Sequence, residues 1–247
     1  MRLLIDIGNS RIKWALGADG ELSAPAGFAR PRADHDDAWA REWGHLAPEA
    51  VTVCSVAGRQ SVAVLRDWVE RHWAVPFSEL RARERCGTIV NAYADPASLG
   101  ADRWANLLGA RAALGPVDAI IVDAGTAVTV DALSADGRHL GGAIFAGLSA
   151  SRAGLRSAAP ALPASHDEAP LPSDNTAGAI GGGTLVALAG AIERVATAVG
   201  GRLTTPERIL TGGDAERLMP WLDAGWTTDP LLTLRGLLHS GDAVCAG

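Results

Sequence analysis

Asp6, Gly8, Asn9 and Ser10 fall together in "LLIDIGNSRIKWALGADG", where an apolar run ends on a carboxylate and enters a glycine turn. A residue without Cβ lets an anion come close to the backbone, and successive N–H groups in a turn form a concave anion site. Asn9 and Ser10 add side-chain donors. A second corner of this kind lies at Asp123, Gly125 and Thr126, in "DAGTAVTVDALSADG". Each carboxylate alone would repel a phosphate. Its chemical use is to hold a cation, or the water around one, that bridges to phosphate oxygens. The ordinary alternative is an Asp that merely caps a turn; a single corner would leave that alternative standing, and a pair favours phosphate chemistry.

Shifted by 117 positions, residues 6–20 overlie residues 123–137 with seven identities in fifteen positions. Asp6 meets Asp123, Gly8 meets Gly125, Ala15 meets Ala132, Leu16 meets Leu133, and Ala18-Asp19-Gly20 meets Ala135-Asp136-Gly137. One duplication at that spacing implies two similar domains, residues 1–115 and 116–247. Each is expected to bring one corner to a shared cleft, where the two clamp the triphosphate of a nucleotide.

The elements that must carry these corners follow from periodicity. Residues 2–9 and 11–17 read as strands joined by a tight turn. The stretch 23–37, with Pro25 and Pro31, reads as loop. Asp37–Leu46 reads as a short helix with Trp39 and Trp43 on one face, a packing pair. Residues 50–58 read as a buried strand, Ser61–Trp73 as an amphipathic helix, and the chain from about Ala101 to Gly115-Pro116 as another helix. Three successive strands are expected in 117–147, then a helix from about Ser149 and a proline-rich loop over 158–173. Asp174–Val199 reads as helix interrupted at Gly181-Gly182-Gly183. In 207–219 a strand, a glycine turn and a helix follow, with Asp214 as N-cap, and Leu231–His239 reads as a last short helix.

The 247 residues are 48% hydrophobic and 20% charged, with net charge −6. That composition is globular, and its sign argues against a nucleic-acid-binding surface. Cys54, Cys86 and Cys245 lie far apart, form no ligand pair, and are expected to be reduced thiols. No leader is expected before the first strand, and no apolar run is expected to reach the ~20 residues of a membrane helix. A cytoplasmic protein with no membrane partner is expected. The chain has no Walker-type GxxxxGK[ST] run, and the glycines at 181–183 do not follow a strand as a dinucleotide fingerprint would. "LTGGDA" at 210–215 is a strand-to-helix glycine turn, weak as a lone motif.

Taken together, "DIGNS", "GADR" at 100–103, "DAGTAVTVD" at 123–131, "GGAIFAG" at 141–147 and "LTGG" at 210–213 resemble the type III pantothenate kinases, in order and over nearly the whole chain. These belong to the superfamily of acetate and sugar kinases, heat-shock ATPases and actin. The resemblance implies an α/β fold of two similar RNase H-like domains, each with a five-stranded mixed sheet. It implies transfer of the γ-phosphoryl group of ATP to the primary hydroxyl of pantothenate, the first step towards coenzyme A. It also implies a divalent metal such as Mg2+, a monovalent cation (K+ or NH4+), and a homodimer.

Residue by residue, the resemblance puts Asp6, Ile7, Gly8, Asn9, Ser10, Arg11, Ile12 and Lys13 against ATP, although Lys13 falls where the family fixes nothing and reads as an ordinary exposed lysine. Asp102 matches the catalytic base, with Gly100, Ala101 and Arg103 lining its pocket. Tyr93 and Thr176 match substrate contacts, Asp123 the monovalent-cation ligand, and Thr126 an ATP contact. Ala146 stands where the family has proline. Physical chemistry admits these roles. Asp102 falls in the first turn of its helix, where the macrodipole favours a carboxylate, and capping that helix is its ordinary alternative. Arg103 can grip a carboxylate in bidentate fashion, or it forms a surface salt bridge. Tyr93 fits packing as well as a pocket. Two rival functions remain at this stage: a kinase of the same superfamily with another small hydroxylated substrate, and a regulatory protein that keeps the fold and acts on transcription.

Overall fold

Leu3, Ile5 and Ile7 alternate with Leu4 and Asp6 along the first strand, so its two faces meet different partners. In the computed structural model, residues 1–31, 35–165 and 170–241 are described. The chain divides into two units: residues 1–115 joined by the chain from Leu231 onward, and residues 116–230.

In the first unit β1 (Arg2–Ile7), β2 (Arg11–Ala18), β3 (Glu21–Leu22) and β4 (Ala26–Ala29) precede α1 (His35–Trp43). Then come β5 (Ala50–Ser55), α2 (Arg59–His72), β6 (Phe77–Glu79), a small hairpin of β7 (Arg85–Cys86) and β8 (Ile89–Val90), and α3 (Ala101–Leu114). The main sheet has the order β3-β2-β1-β5-β6 with β4 also on β2, six strands where five were expected. The extra strand lies in the stretch read as loop. "AGFA" carries too little apolar alternation to announce itself, yet Gly27 lets it run close to β2, where a Cβ would lie 2.8 Å from the Ile12 carbonyl oxygen.

Leu3, Ile5, Ile7, Ile12, Val51 and Val53 form one core with Trp39 and Trp43 of α1 and Val62, Leu65, Trp68 and Val69 of α2. The Trp43 and Trp68 rings meet edge-on at 6.1 Å, so the tryptophans are packing residues, as their spacing predicts. Cys54 is buried and outside any disulfide. Cys86 is disulfide-bonded, which corrects the expectation of reduced thiols throughout, because distance along the chain says nothing of proximity in the fold. Cys245 lies outside the described residues.

The second unit holds β9 (Ala119–Ala124), β10 (Ala127–Leu133), β11 (His139–Ala146), α4 (Leu148–Ala158), α5 (Thr176–Val199), β12 (Glu207–Thr211), α6 (Ala215–Leu218) and β13 (Trp226–Thr228). Its five-stranded mixed sheet has the order β11-β10-β9-β12-β13. Leu185, Leu188, Ala189, Ile192 and Ala196 of α5 pack on Ile120, Val122, Val128 and Val130.

Two expectations fail at α5. The glycine run does not interrupt it: Gly181 and Gly182 are buried inside a continuous helix, and Arg152 Nη2 donates to the Gly181 carbonyl at 3.1 Å. Bare backbone there admits a guanidinium from α4. At 24 residues α5 is also long and apolar enough to span a membrane by length and composition. Its apolar side is the core of the sheet, and its Glu193 accepts from Arg208 at 3.3 Å and from Trp226 Nε1 at 2.7 Å.

The last helix, α7 (Leu232–Leu238), belongs with the first unit, so the second does not extend to 247 as expected. Gly109 of α3 and Gly236 of α7 bring the two backbones into contact, and Thr233 Oγ1 donates to Asn106 Oδ1 at 2.8 Å inside that interface. His239 follows α7; burial first, and then Arg235, hold its pKa below the ordinary 6.5. An unfolded chain then binds the proton more readily, so this group's contribution to stability is present above that value and lost as pH falls below it. Thermal midpoints at about pH 7.5 and pH 5 are expected to differ less in His239→Gln than in the unaltered chain.

Candidate active site

The first corner is the β1–β2 hairpin, in register Asp6↔Lys13 and Ile7↔Ile12, closed by Gly8 N–H to the Arg11 carbonyl at 3.0 Å. Asp6 lies on the sheet face away from the tryptophan core, beside its parallel partner Cys54, whose Sγ donates to Asp6 Oδ1 at 3.5 Å. Ile7 and Ile12 are buried in the core, so what they offer a ligand is backbone. Asn9, Ser10 and Arg11 are exposed at the tip, and Lys13 is half-buried rather than fully exposed. Arg30 pins the tip: its N–H donates to the Ser10 carbonyl at 2.9 Å, Nη1 to the Asn9 carbonyl at 3.3 Å, and Nη2 to Ser61 Oγ at 3.4 Å. Nothing in the sequence singled out Arg30, one of two arginines flanking Pro31.

The second corner repeats this plan with one difference. Gly125 N–H closes on the Ala127 carbonyl at 3.0 Å, a turn one residue shorter, and Asp123 pairs with Thr129. Leu16 faces Leu3, but the residue facing Ile120 is Ala132, not Leu133. The next turn is longer by one residue, Ser134 N–H reaching the Arg138 carbonyl, so the downstream Asp-Gly turns return to step. A one-residue slip turns a strand's side chains to the opposite face. The identities at Ala15/Ala132 and Leu16/Leu133 are therefore not structural equivalences.

Two glycines explain the motifs around this corner. A Cβ on Gly147, at the end of "GGAIFAG", would lie 2.0 Å from the Gly125 carbonyl oxygen. One on Gly212, in "LTGG" and at φ +100°, would lie 2.3 Å from that of Ala124. Both segments close directly on the hairpin, with Gly147 N–H donating to the Thr126 carbonyl at 3.0 Å and Asp214 N–H to that of Ala124 at 2.9 Å. Asp214 occupies the N-cap position of α6, but its side chain makes no capping bond; Oδ1 accepts from Arg217 Nη1 at 2.9 Å. Thr126 is exposed at the tip.

Across the sheet Asp123 is flanked by Thr129 and Thr211, which share its face. Thr211 is 1% exposed, and among the described residues its hydroxyl has no hydrogen-bond partner. A carboxylate beside threonine hydroxyls suits a hard cation that takes oxygen ligands.

At the start of α3, Gly100 rather than Asp102 is the N-cap. A Cβ there would lie 2.7 Å from Asp102 Oδ1, so a larger residue would push the Asp102 carboxylate from its place. That oxygen accepts the N–H of Arg103 at 2.7 Å. Arg103 is buried, not a surface salt bridge: at 3% exposure its Nη1 donates to Tyr93 Oη at 2.7 Å, with the guanidinium carbon 5.6 Å from the ring centre. Asn91, which sequence reasoning missed, fixes this loop; its Oδ1 accepts from Tyr93 N–H at 3.0 Å and its Nδ2 donates to the carbonyls of Pro96 and Arg83. The first unit thus gathers Tyr93, Gly100, Ala101, Asp102 and Arg103. Thr176 opens α5 in the second unit, next to the N-cap Asn175, whose Oδ1 accepts from Gly178 N–H at 2.8 Å. Among the described residues no three His, Cys, Asp or Glu side chains form a metal cage. A kinase magnesium ion held largely by phosphates needs only one or two carboxylates.

Mixed sheets that each carry an Asp-x-Gly hairpin, with a carboxylate at a helix start, define a phosphotransferase of the actin-like and sugar-kinase fold. The fold recurs in a Baf family transcriptional activator from Campylobacter jejuni (TM-score 0.62, 22% identity, 95% of this chain and 94% of that one). It recurs also in component A of the (R)-2-hydroxyglutaryl-CoA dehydratase of Acidaminococcus fermentans (TM-score 0.58, 15% identity, 99% and 97%). The chain belongs to the type III pantothenate kinase family. The family model of that description matches residues 2–198. A type III pantothenate kinase of Halorhodospira halophila is 39% identical over 247 residues, 97% of each chain, and one of Nitrosococcus oceani is 35% identical over 250 residues, 96% of this chain and 92% of that one. The resemblance read from the five motifs is borne out.

Proposed function

We propose that the chain phosphorylates pantothenate with ATP to give 4′-phosphopantothenate, the first committed chemistry of coenzyme A synthesis. Family membership over nearly the full length carries this reading, and the grouping of Asp102 with Arg103 and Tyr93 supports it. Asp102 serves as the base. Its place in the first turn of α3 favours the ionised form. In a loose phosphoryl-transfer transition state the attacking oxygen needs little charge early, so the carboxylate orients the hydroxyl and takes its proton late. Gly100, Ala101, Arg103, Tyr93 and Thr176 contact the acceptor.

The Asp6–Lys13 hairpin and Thr126 bind ATP, mainly through backbone N–H groups and the tip side chains. Asp6 is the carboxylate for Mg2+, which neutralises phosphate charge when bound. Asp123, with Thr129 and Thr211 in the same row, holds the monovalent cation. The enzyme works in the cytoplasm as a homodimer, without nucleic-acid or membrane partners; exposed Ile144, Leu155 and Val186 are apolar surface suited to a second copy.

The test is turnover of ATP, Mg2+ and pantothenate with and without K+ or NH4+. Cation-stimulated formation of 4′-phosphopantothenate is expected, and no product under any cation would overturn the reading. Thr211→Val separates the cation role from folding. Removing a buried hydroxyl that lacks a partner is expected to leave the thermal midpoint unchanged or raise it. The K+ concentration for half-activation is expected to rise about threefold or more, since one oxygen ligand is lost.

A further inference from the structure

The tip of the β1–β2 hairpin presents Asn9, Ser10 and Arg11 to solvent. Exposed turns move more than the strands they join, and a ligand that binds one must meet the cost of ordering it. Arg30 removes that freedom from one side. The register Arg11↔Ala29 between β2 and β4 brings residue 30 beside Ser10. There its N–H donates to the Ser10 carbonyl at 2.9 Å and its Nη1 to the Asn9 carbonyl at 3.3 Å.

The peptide bonds from Asn9 to Arg11 are trans. In a planar trans peptide the carbonyl and the following N–H point in opposite directions. Turning the Asn9 and Ser10 carbonyls to Arg30 therefore turns the N–H groups of Ser10 and Arg11 to the other side. The guanidinium is itself anchored. Its Nη2 donates to Ser61 Oγ at 3.4 Å, and that hydroxyl donates to the Ala57 carbonyl at 3.1 Å, across the first turn of α2. With Ile7, Ile12, Trp39 and Ser61, Arg30 borders a space of about 10 Å³. That is room for a water molecule at most, so this side of the hairpin is built to hold the tip and admits no ligand.

We infer that Arg30, anchored by Ser61, is a positioning residue for the nucleotide: it presets the Ser10 and Arg11 N–H groups as a donor pair for phosphate oxygens. The inference rests on the proposed ATP role of the hairpin and adds the residues that keep the hairpin ready. The backbone bond from Arg30 to Ser10 survives any change of side chain, and Arg11 Nη2 also ties the tip to β4, donating to the Gly27 carbonyl at 3.3 Å. Alanine at position 30 therefore frees chiefly the peptide between Asn9 and Ser10, while the strands stay paired.

The experiment measures kcat and the KM values for ATP and for pantothenate on the full chain with Mg2+ and K+, beside a melting curve. Arg30→Ala is expected to raise KM for ATP about fivefold or more, as the loss of a hydrogen bond from a charged donor does. KM for pantothenate should stay within about twofold and the thermal midpoint should hardly move. Ser61→Ala leaves the charge in place and removes its anchor; KM for ATP is expected to rise about threefold. Arg30→Lys, which keeps the charge and one point of attachment, is expected to fall between alanine and arginine. A KM for ATP within about twofold of the unaltered enzyme in Arg30→Ala, with the midpoint retained, overturns the inference and leaves the kinase reading intact. Equal rises in both KM values overturn it as well, since they report a loosened fold. So does unaltered KM for ATP in both Ser61→Ala and Arg30→Lys, which would assign the effect of Arg30 to its charge. If the unaltered enzyme makes no product, the kinase reading fails first and the positioning role falls with it.

Discussion

Asp102→Asn is expected to lower kcat with pantothenate by at least ~10²-fold, the usual worth of a positioned general base. The substitution is nearly isosteric. An asparagine oxygen can still accept the Arg103 N–H that Asp102 Oδ1 accepts at 2.7 Å, and the Gly100 backbone still leaves it room. What it loses is the capacity to take a proton, together with the favourable meeting of a negative charge with the helix start, worth about 0.3–1 kcal/mol. The thermal midpoint should therefore move little while turnover collapses. KM for pantothenate should change less than kcat, because the variant keeps a hydrogen-bonding oxygen for the ground-state hydroxyl. Steady-state kinetics beside a melting curve decide the matter. An unchanged kcat would remove Asp102 from the chemistry.

Gly236→Ala is expected to act on the fold by about 3 kcal/mol, in the range for forcing atoms into a packed contact. A Cβ at Gly236 would lie 1.9 Å from the Ala105 carbonyl oxygen and 2.6 Å from its carbon, both rigid backbone. The two helices must separate, loosening the neighbouring bond from Thr233 to Asn106. Gly183→Ala is the control. It lies within α5 with nothing within 4 Å of its would-be Cβ, so the better helix former is expected to stabilise by up to ~1 kcal/mol. Denaturant titrations of the two variants should move in opposite directions. A destabilisation under about 1 kcal/mol at Gly236 would mean that α7 does not seat on α3 as closely as described.

That contact also shows where local reading stops. Leu231–His239 is legible as a helix from its own residues, but its allegiance to the first unit is not. The cause is a pair of glycines, Gly109 and Gly236, more than a hundred positions apart, that let two backbones touch. The same limit applies to the duplication. An ungapped shift finds the Asp-x-Gly corners and the downstream turns, because glycine and aspartate are imposed locally by turn geometry. It misassigns the strand between them, because one turn lost a residue and the next regained it, and only cross-strand pairing records that slip.

By itself, the sequence determined the two acidic corners, the strands and helices whose apolar period is strong, the tryptophan core, and the family that five ordered motifs identify. These are set by side-chain chemistry acting over a few residues. Tertiary structure alone decided that "AGFA" pairs as a strand and that α5 runs unbroken through three glycines. It alone tied Arg30 and Asn91 to the loops they hold, and placed in the row of Asp123 a buried Thr211 hydroxyl that has no partner among the described residues. Each of those outcomes depends on which distant backbone or side chain fills the space beside a residue, and burial and pairing of that kind have no signature in the local order of amino acids.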